Sequence, residues 1–328
     1  MHKKIKSKIL FFFEKFINLL PKNYIVNIVE LSSLRLTKVE KSKYINFQKE
    51  NVQNDSIKQI NLNLFNTKFY LAVHDNQANY STYINPNKHY FYEESLLFIL
   101  SKLFTIFEND QITSNFFDIG SRYGYYSNFI AKRNSKINVY AFDPLKKYYE
   151  IQEISKKINS LSNLNVNCIG LSNKDEIFFD EYKNKLELTT LDNFVKKNNI
   201  SPSIIKVDID GFEGKFFQGC YESLRDKIEI IFLELHTSSV IQKYSSMNRK
   251  QVLEILLKNN FYLFSVSPYR WLKDTKDINF YKKEKKIKLL NLNINNLDNF
   301  LFNRNAHDEL IFCCKNNNIL DKLNIFEI

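Results

Sequence analysis

Two groups of residues have types and spacings that could do chemistry. The first is Asp118, Gly120, Ser121, Gly124 and Asp143, within "NFFDIGSRYGYYSNFIAKRNSKINVYAFD" (115–143). An apolar run, a glycine turn opening a helix, and a second apolar run ending in an acid form the physical recipe for holding a nucleoside. Glycine lets the backbone approach a ligand, so a side chain at Gly120 is expected to intrude where backbone meets ligand, and the acid can accept hydrogen bonds from ribose hydroxyls. The spacing Gly120-x-x-x-Gly124 lacks the third glycine of the dinucleotide fingerprint. Asp118, just before the turn, suits a ligand that carries an amino group, which turns attention to S-adenosylmethionine.

The second group is Asp208, Asp210 and Glu213 in "SIIKVDIDGFE" (203–213), with Glu234 and His236 in "IEIIFLELH" (228–236). Core strands seldom end in so many acids unless the acids serve a site or cap a helix. For Glu213 the favourable charge at a helix N-terminus is an equal reading.

These residues need elements to place them. The apolar runs at 116–119, 137–142, 163–170, 203–209, 228–235, 261–267 and 308–314 read as strands, and the segments between most of them read as helices. Alternation of this kind specifies an α/β fold, a mostly parallel sheet with right-handed crossovers, in which ligands bind beyond the carboxyl ends of the strands. A helix near 190 is expected to be capped at Thr190 or Asp192. "YEESLLFILSKLFTIF" (92–107) has helical length and a strong apolar face, with Glu93 and Glu94 in its first turn. All six glycines lie between 120 and 219, so the special backbone geometry is concentrated in the same region.

Residues 1–90 read as a small N-terminal extension of mixed structure, and 91–328 as the main domain. Within it, 268–306 lacks long apolar periodicity and is expected to form a lid or substrate insertion. Hydrophobic content of 44%, 15% of the chain being aromatic, excludes general disorder. The net charge of +11 is uneven: residues 1–60 hold 12 Lys/Arg against 5 Asp/Glu. That basic end allows a peripheral contact with anionic lipid or a phosphorylated glycan, while a solvated face is the plainer reading. Ile5, Ile9, Phe12, Phe16 and Leu20 fall on one helical face stopped by Pro21, which favours a helix docked on its own protein. No apolar run approaches the ~20 residues of a membrane span, and no compact Arg-rich or Lys–aromatic array points to nucleic acid. Cys168, Cys220, Cys313 and Cys314 have no C-x-x-C spacing, and a cytoplasmic location is the expectation.

Seven pieces resemble the FkbM family of S-adenosylmethionine-dependent methyltransferases, in that family's order. They are "YEE" (92–94), "DIGSRYGYYS" (118–127), "AFDP" (141–144), "GLSN" (170–173), "TTLDNF" (189–194), "IKVDIDGFE" (205–213) and "LELH" (233–236). The resemblance runs from about Tyr92 to Cys314. Where the family usually has Ala-Asn this chain has Ser121-Arg122, and Asp143 and Asp210 stand where the family usually has Glu. The resemblance implies a Rossmann-like class I methyltransferase sheet of seven strands, the last antiparallel. It also implies methyl transfer to a hydroxyl of a glycan, sugar or related metabolite. By position, Asp118 and the Gly120–Gly124 turn, with Ser121, are expected to hold the methionine moiety, Asp143 the ribose, and Leu171 and Ser172 to lie near the adenine.

A hydroxyl acceptor must lose its proton, and His236 is the first candidate base, with Asp208 second and Glu213 beside them. Asp208, Asp210, Glu234 and His236 could alternatively hold a divalent cation that acidifies the hydroxyl, although no metal is expected. Two other functions fit parts of the pattern. One is a nicotinamide-dependent oxidoreductase built on the same strand–turn–helix unit, which the absent third glycine and Asp118 disfavour. The other is a non-catalytic module of a glycan-assembly complex, which the acids and His236 disfavour.

Overall fold

The computed structural model describes residues 57–74, 84–85, 90–91, 93–110, 114–267, 287–304, 307–324 and 326–327. The N-terminal amphipathic helix, the basic end up to residue 56 and Tyr92 of the "YEE" piece lie outside these residues. Contacts group the chain into two units, Met1–Lys58 with His74–His89, and Gln59–Val73 with Tyr90–Ile328. The second unit carries every candidate residue.

In chain order the described elements begin with the hairpin β1 (Ile57–Leu64) and β2 (Thr67–His74), then the short strands β3 (Ile84–Asn85) and β4 (Tyr90–Phe91) and helix α1 (Glu94–Asn109). Next come β5 (Ser114–Ile119), α2 (Tyr125–Arg133), β6 (Ile137–Phe142), α3 (Lys146–Asn159) and β7 (Leu164–Asn167). A separate three-stranded sheet follows, from β8 (Gly170–Ser172), β9 (Glu176–Phe179) and β10 (Lys185–Thr190). Then come α4 (Leu191–Asn198), β11 (Ile204–Val207), α5 (Glu213–Gln218), α6 (Tyr221–Asp226) and β12 (Ile230–Leu235). The chain closes with α7 (Ser238–Ile241), α8 (Arg249–Lys258), β13 (Tyr262–Ser267), β14 (Ile287–Leu292), α9 (Leu297–Asn303), β15 (Glu309–Cys314), α10 (Asn318–Leu323) and β16 (Phe326–Glu327).

The main sheet has the order β16-β14-β13-β15-β12-β11-β5-β6-β7. The neighbours β7, β6, β5, β11 and β12 are parallel, and β15 runs antiparallel between β12 and β13. These are the seven expected strands with the last one reversed. Two more strands extend the edge: β14 pairs antiparallel with β13, and β16 parallel with β14. Strands β12 and β15 are buried at all six positions, as their continuous apolar runs require of strands covered on both faces.

Three local expectations are refined. The apolar run 163–170 divides between two sheets, β7 staying in the main one and β8 starting the small one. The single helix expected after 213 is broken at Gly219, where an added Cβ would lie 1.9 Å from the Ser172 carbonyl oxygen. The segment 268–306 falls in two parts: 268–286 lies outside the described residues, and 287–303 forms β14 and α9.

Capping explains several helix starts. Thr190 Oγ1 accepts from Asn193 N at 3.0 Å, so Thr190 caps α4. Asp192 instead accepts from the backbone of Glu222 and Ser223 at 2.9 and 2.8 Å, capping α6. Residues 70–72 belong with the large unit for a concrete reason. Asn159 Oδ1 accepts from Tyr70 N at 2.7 Å, and Ser155 Oγ accepts from Ala72 N at 2.9 Å, tying β2 to α3.

Candidate active site

The turn after β5 is held by the next strand. The amides of Gly120 and Ser121 both donate to the Phe142 carbonyl at 3.0 Å. Gly120 (φ 84°), Arg122 (φ 49°) and Gly124 (φ 74°) are all left-handed. A Cβ on Gly120 would lie 1.7 Å from the Asp208 carbonyl oxygen. Gly120 therefore lets the ends of strands β5 and β11 close on each other, and a side chain there would strike the Asp208 backbone. Gln152 Nε2 seals the turn from α3, donating to Ser121 Oγ at 3.0 Å and the Arg122 carbonyl at 2.8 Å.

Asp118 is fully buried, and its Oδ2 accepts from Ser127 N at 3.2 Å and Ser127 Oγ at 2.6 Å. That contact caps α2, whose first turn brings Ser127 over the strand. Its Oδ1 has no hydrogen-bond partner among the described residues. Burial raises the Asp118 pKa, and nearby Lys206 opposes that rise.

Lys206 stands directly opposite Asp118 in the β5–β11 register. Its ammonium lies 3.2 Å from Asp208 Oδ2 and 4.9 Å from the centre of the Tyr126 ring. Burial disfavours its charge, but Asp208, Asp118 and Glu93 outweigh burial and raise its pKa. The Tyr126 hydroxyl donates to Glu93, so α1 and α2 join the same buried network. Sequence reasoning missed Lys206. The signal was there, since a lone lysine in the apolar run "SIIKV" needs buried counter-charges.

Asp143, at the end of β6, is also buried. Its Oδ2 accepts from Arg122 N and its Oδ1 from Leu145 N, both at 3.0 Å. Burial lifts its pKa to about 7 despite those two donors. Aspartate's shorter reach is consistent with a carboxylate bonded to its own loop and to the neighbouring glycine turn, and each oxygen keeps a further lone pair for another donor. Arg122 extends its guanidinium over the Tyr123 and Tyr148 rings, at 5.7 and 5.9 Å from their centres. Leu171 and Ser172 on β8 are both buried, with Ser172 O packed against Gly219.

The second group converges at the ends of β11 and β12. His236 Nδ1 lies 2.7 Å from Glu213 Oε1, and that oxygen also accepts from Gly211 N at 3.3 Å. His236 Nε2 lies 3.6 Å from Asp210 Oδ1 and 3.9 Å from Glu234 Oε1. One ligand atom each from Asp208, Glu234 and His236 lie within 4.8 Å of one another. Asp210 (φ 50°) is left-handed and its side chain fully exposed, so it stands outside this trio. Burial works against a charged His236, but Asp210 and Glu213 more than offset it, and the imidazole pKa rises to about 10. An imidazole so held carries its proton near neutral pH, which argues against the expected role of first-choice base.

Residues 118–263 match the family model described as the Methyltransferase FkbM domain. These residues, under half of the chain, resemble a methyltransferase FkbM domain. The match supports an S-adenosylmethionine-dependent methyltransferase, and the nicotinamide and non-catalytic alternatives find no support in it. Solved structures similar to this chain include an S-adenosylmethionine-dependent methyltransferase from Agrobacterium tumefaciens, at 10% identity and a TM-score of 0.45, covering 80% of this chain and 72% of that one. Another is a precorrin-6y C5,15-methyltransferase from Geobacter metallireducens, at 12% identity and a TM-score of 0.37, covering 71% and 93%. No curated protein matches this chain.

The donor set of the turn fits such a cofactor. Asp118 Oδ1 is an unmatched buried acceptor of the kind an ammonium would satisfy, and Asp143 keeps acceptor capacity at the end of the neighbouring strand. No helix among the described residues is long and apolar enough to cross a membrane.

Proposed function

We propose that the chain transfers a methyl group to a hydroxyl of a glycan, sugar or related metabolite. S-adenosylmethionine supplies a methyl carbon already activated by its sulfonium. The protein's tasks are then to bind and orient the two reactants, exclude water, and take the hydroxyl proton. Asp118, Gly120, Ser121 and Gly124 would face the methionine moiety, with Asp143 toward the ribose and Leu171 and Ser172 toward the adenine.

The observation that carries the hydroxyl assignment is the convergence of Asp208, Glu234 and His236 at the ends of adjacent strands, beside the buried Glu213. An alcohol is a poor nucleophile until its proton has somewhere to go, and this is the part of the molecule where acceptors are concentrated. Asp208 fits the proton acceptor better than His236, because Glu213 and Asp210 keep the imidazole charged.

The test is incubation of the full chain with S-adenosylmethionine and a panel of free and nucleotide-linked sugars, with product mass read by mass spectrometry. A gain of one methyl on a hydroxyl, lost in Asp208→Asn, supports the proposal. Methylation confined to amine or thiol acceptors would overturn it. Calorimetry with S-adenosylhomocysteine and with NAD on one sample checks the cofactor independently.

A further inference from the structure

We propose that Asp208, Glu234 and His236 hold a divalent cation, with Glu213 orienting the imidazole. The inference deepens the hydroxyl-acceptor reading by placing the ion where the acceptor oxygen would shed its proton, and it rests on that reading only for its purpose. Three donors each about 2.1 Å from one ion lie roughly 3.0–3.6 Å from one another. The three groups offer one ligand atom each within 4.8 Å of one another, so side-chain shifts of about an ångström would bring them to a common centre.

A second observation is the state of the histidine. Nδ1 is occupied by the buried Glu213 carboxylate at 2.7 Å, which leaves Nε2 as the nitrogen that faces Glu234 and Asp210. A carboxylate behind the imidazole is the arrangement that fixes ring orientation and raises basicity in metal-bound histidines. Glu213 Oε2 is buried without a hydrogen-bond partner among the described residues, so apart from the Gly211 amide this carboxylate serves the imidazole.

The charge balance points the same way. Four carboxylates, Asp208, Asp210, Glu213 and Glu234, crowd one imidazole. The nearby cationic side chains are Lys206, 3.2 Å from Asp208, and Arg249, whose guanidinium donates to the carbonyls of Leu235 and Arg304 at 3.1 and 2.8 Å. Asp210 is fully exposed and can move off Nε2 when an ion takes its place, displacing the Nε2 proton to solvent; Asp208 then serves as a ligand and no longer as the proton acceptor. One nitrogen and two carboxylates select a first-row ion such as Mn²⁺ over Ca²⁺, and three protein ligands leave positions for acceptor oxygens.

The experiment titrates Mn²⁺ into metal-stripped full-length protein, without cofactor or acceptor, and reads binding by calorimetry and by loss of the free-ion electron paramagnetic resonance signal. One saturable site is expected, weakened at least about 10-fold in Glu234→Gln and His236→Ala, and about 10- to 100-fold in Glu213→Gln, which touches no ion. S-adenosylhomocysteine binding by each variant confirms that it is folded. Absence of saturable binding by the parent, or unchanged affinity in folded Glu234→Gln and His236→Ala, overturns the proposal. Full methylation of a sugar hydroxyl after chelation would also overturn it while leaving the hydroxyl-acceptor reading intact. One tight Mn²⁺ site in a protein that methylates no hydroxyl would retain the site and remove that reading.

Discussion

Lys206 and Asp118 sit side by side on adjacent parallel strands, both buried, and the ammonium of Lys206 reaches on to Asp208 at 3.2 Å. One lysine thus stands between the acid before the glycine turn and the acid that follows β11. Replacing it with methionine would leave the buried Asp118 and the half-buried Asp208 without their shared counter-charge. Lys206→Met is expected to lose about 3–5 kcal/mol of stability, and Lys206→Met with Asp118→Asn to recover part of that. Denaturant unfolding of the four proteins in this cycle checks it, and strictly additive losses would break the link between the two residues.

Gly120→Ala should damage the fold as well as cofactor binding. Its Cβ would meet the Asp208 carbonyl oxygen at 1.7 Å, and φ of 84° adds strain for any L side chain. A loss of roughly 3 kcal/mol or more is expected, seen as a lowered unfolding midpoint in the absence of ligand. Parent-like stability would mean that β5 and β11 do not approach as described.

Asp143 gives a pH signature. Its folded pKa of about 7 lies above the ordinary aspartate value, because burial disfavours the charge. The folded state therefore holds the proton more tightly than the unfolded chain does. This contribution to stability is fully present below about pH 4 and is lost as pH rises through about 7. The stability of the parent relative to Asp143→Asn should fall by a few kcal/mol from pH 4 to pH 8, on the order of the 1.4 kcal/mol per unit that a pKa shift represents. If the carboxylate accepts the ribose hydroxyls, S-adenosylhomocysteine affinity should rise over pH 6 to 8 in the parent and stay flat in Asp143→Asn. A flat parent would separate Asp143 from the ribose.

On the acceptor side, Glu213→Gln keeps an oxygen for His236 Nδ1 but removes the charge. Turnover of a methylated sugar acceptor is expected to fall about 10-fold or more, with S-adenosylhomocysteine affinity within about two-fold of the parent. Equal losses in turnover and cofactor affinity would instead mark Glu213 as structural. His236→Ala should be slower still, by about 10²–10⁴.

The sequence by itself determined the order of strands and helices, because period and length are local properties that survive without a partner. The runs around Phe117, Val139, Ile205, Phe232 and Phe312 read as buried strands, and each is one. It also placed Asp118, Asp143, Asp208 and His236 at strand ends, since turn residues mark where strands stop. Tertiary structure alone decided what those side chains touch. Asp118 caps α2 through Ser127, nine positions on, and Asp143 is held by Arg122 N, 21 positions back. Glu213 meets His236 across 23 positions because β11 and β12 are neighbours. The close approach at Gly120 was not legible for the same reason: the atom it makes room for, Asp208 O, follows a strand brought alongside only by sheet pairing. A hydrogen bond or a steric gap depends on distances between strands, and no local pattern of residue types encodes those distances.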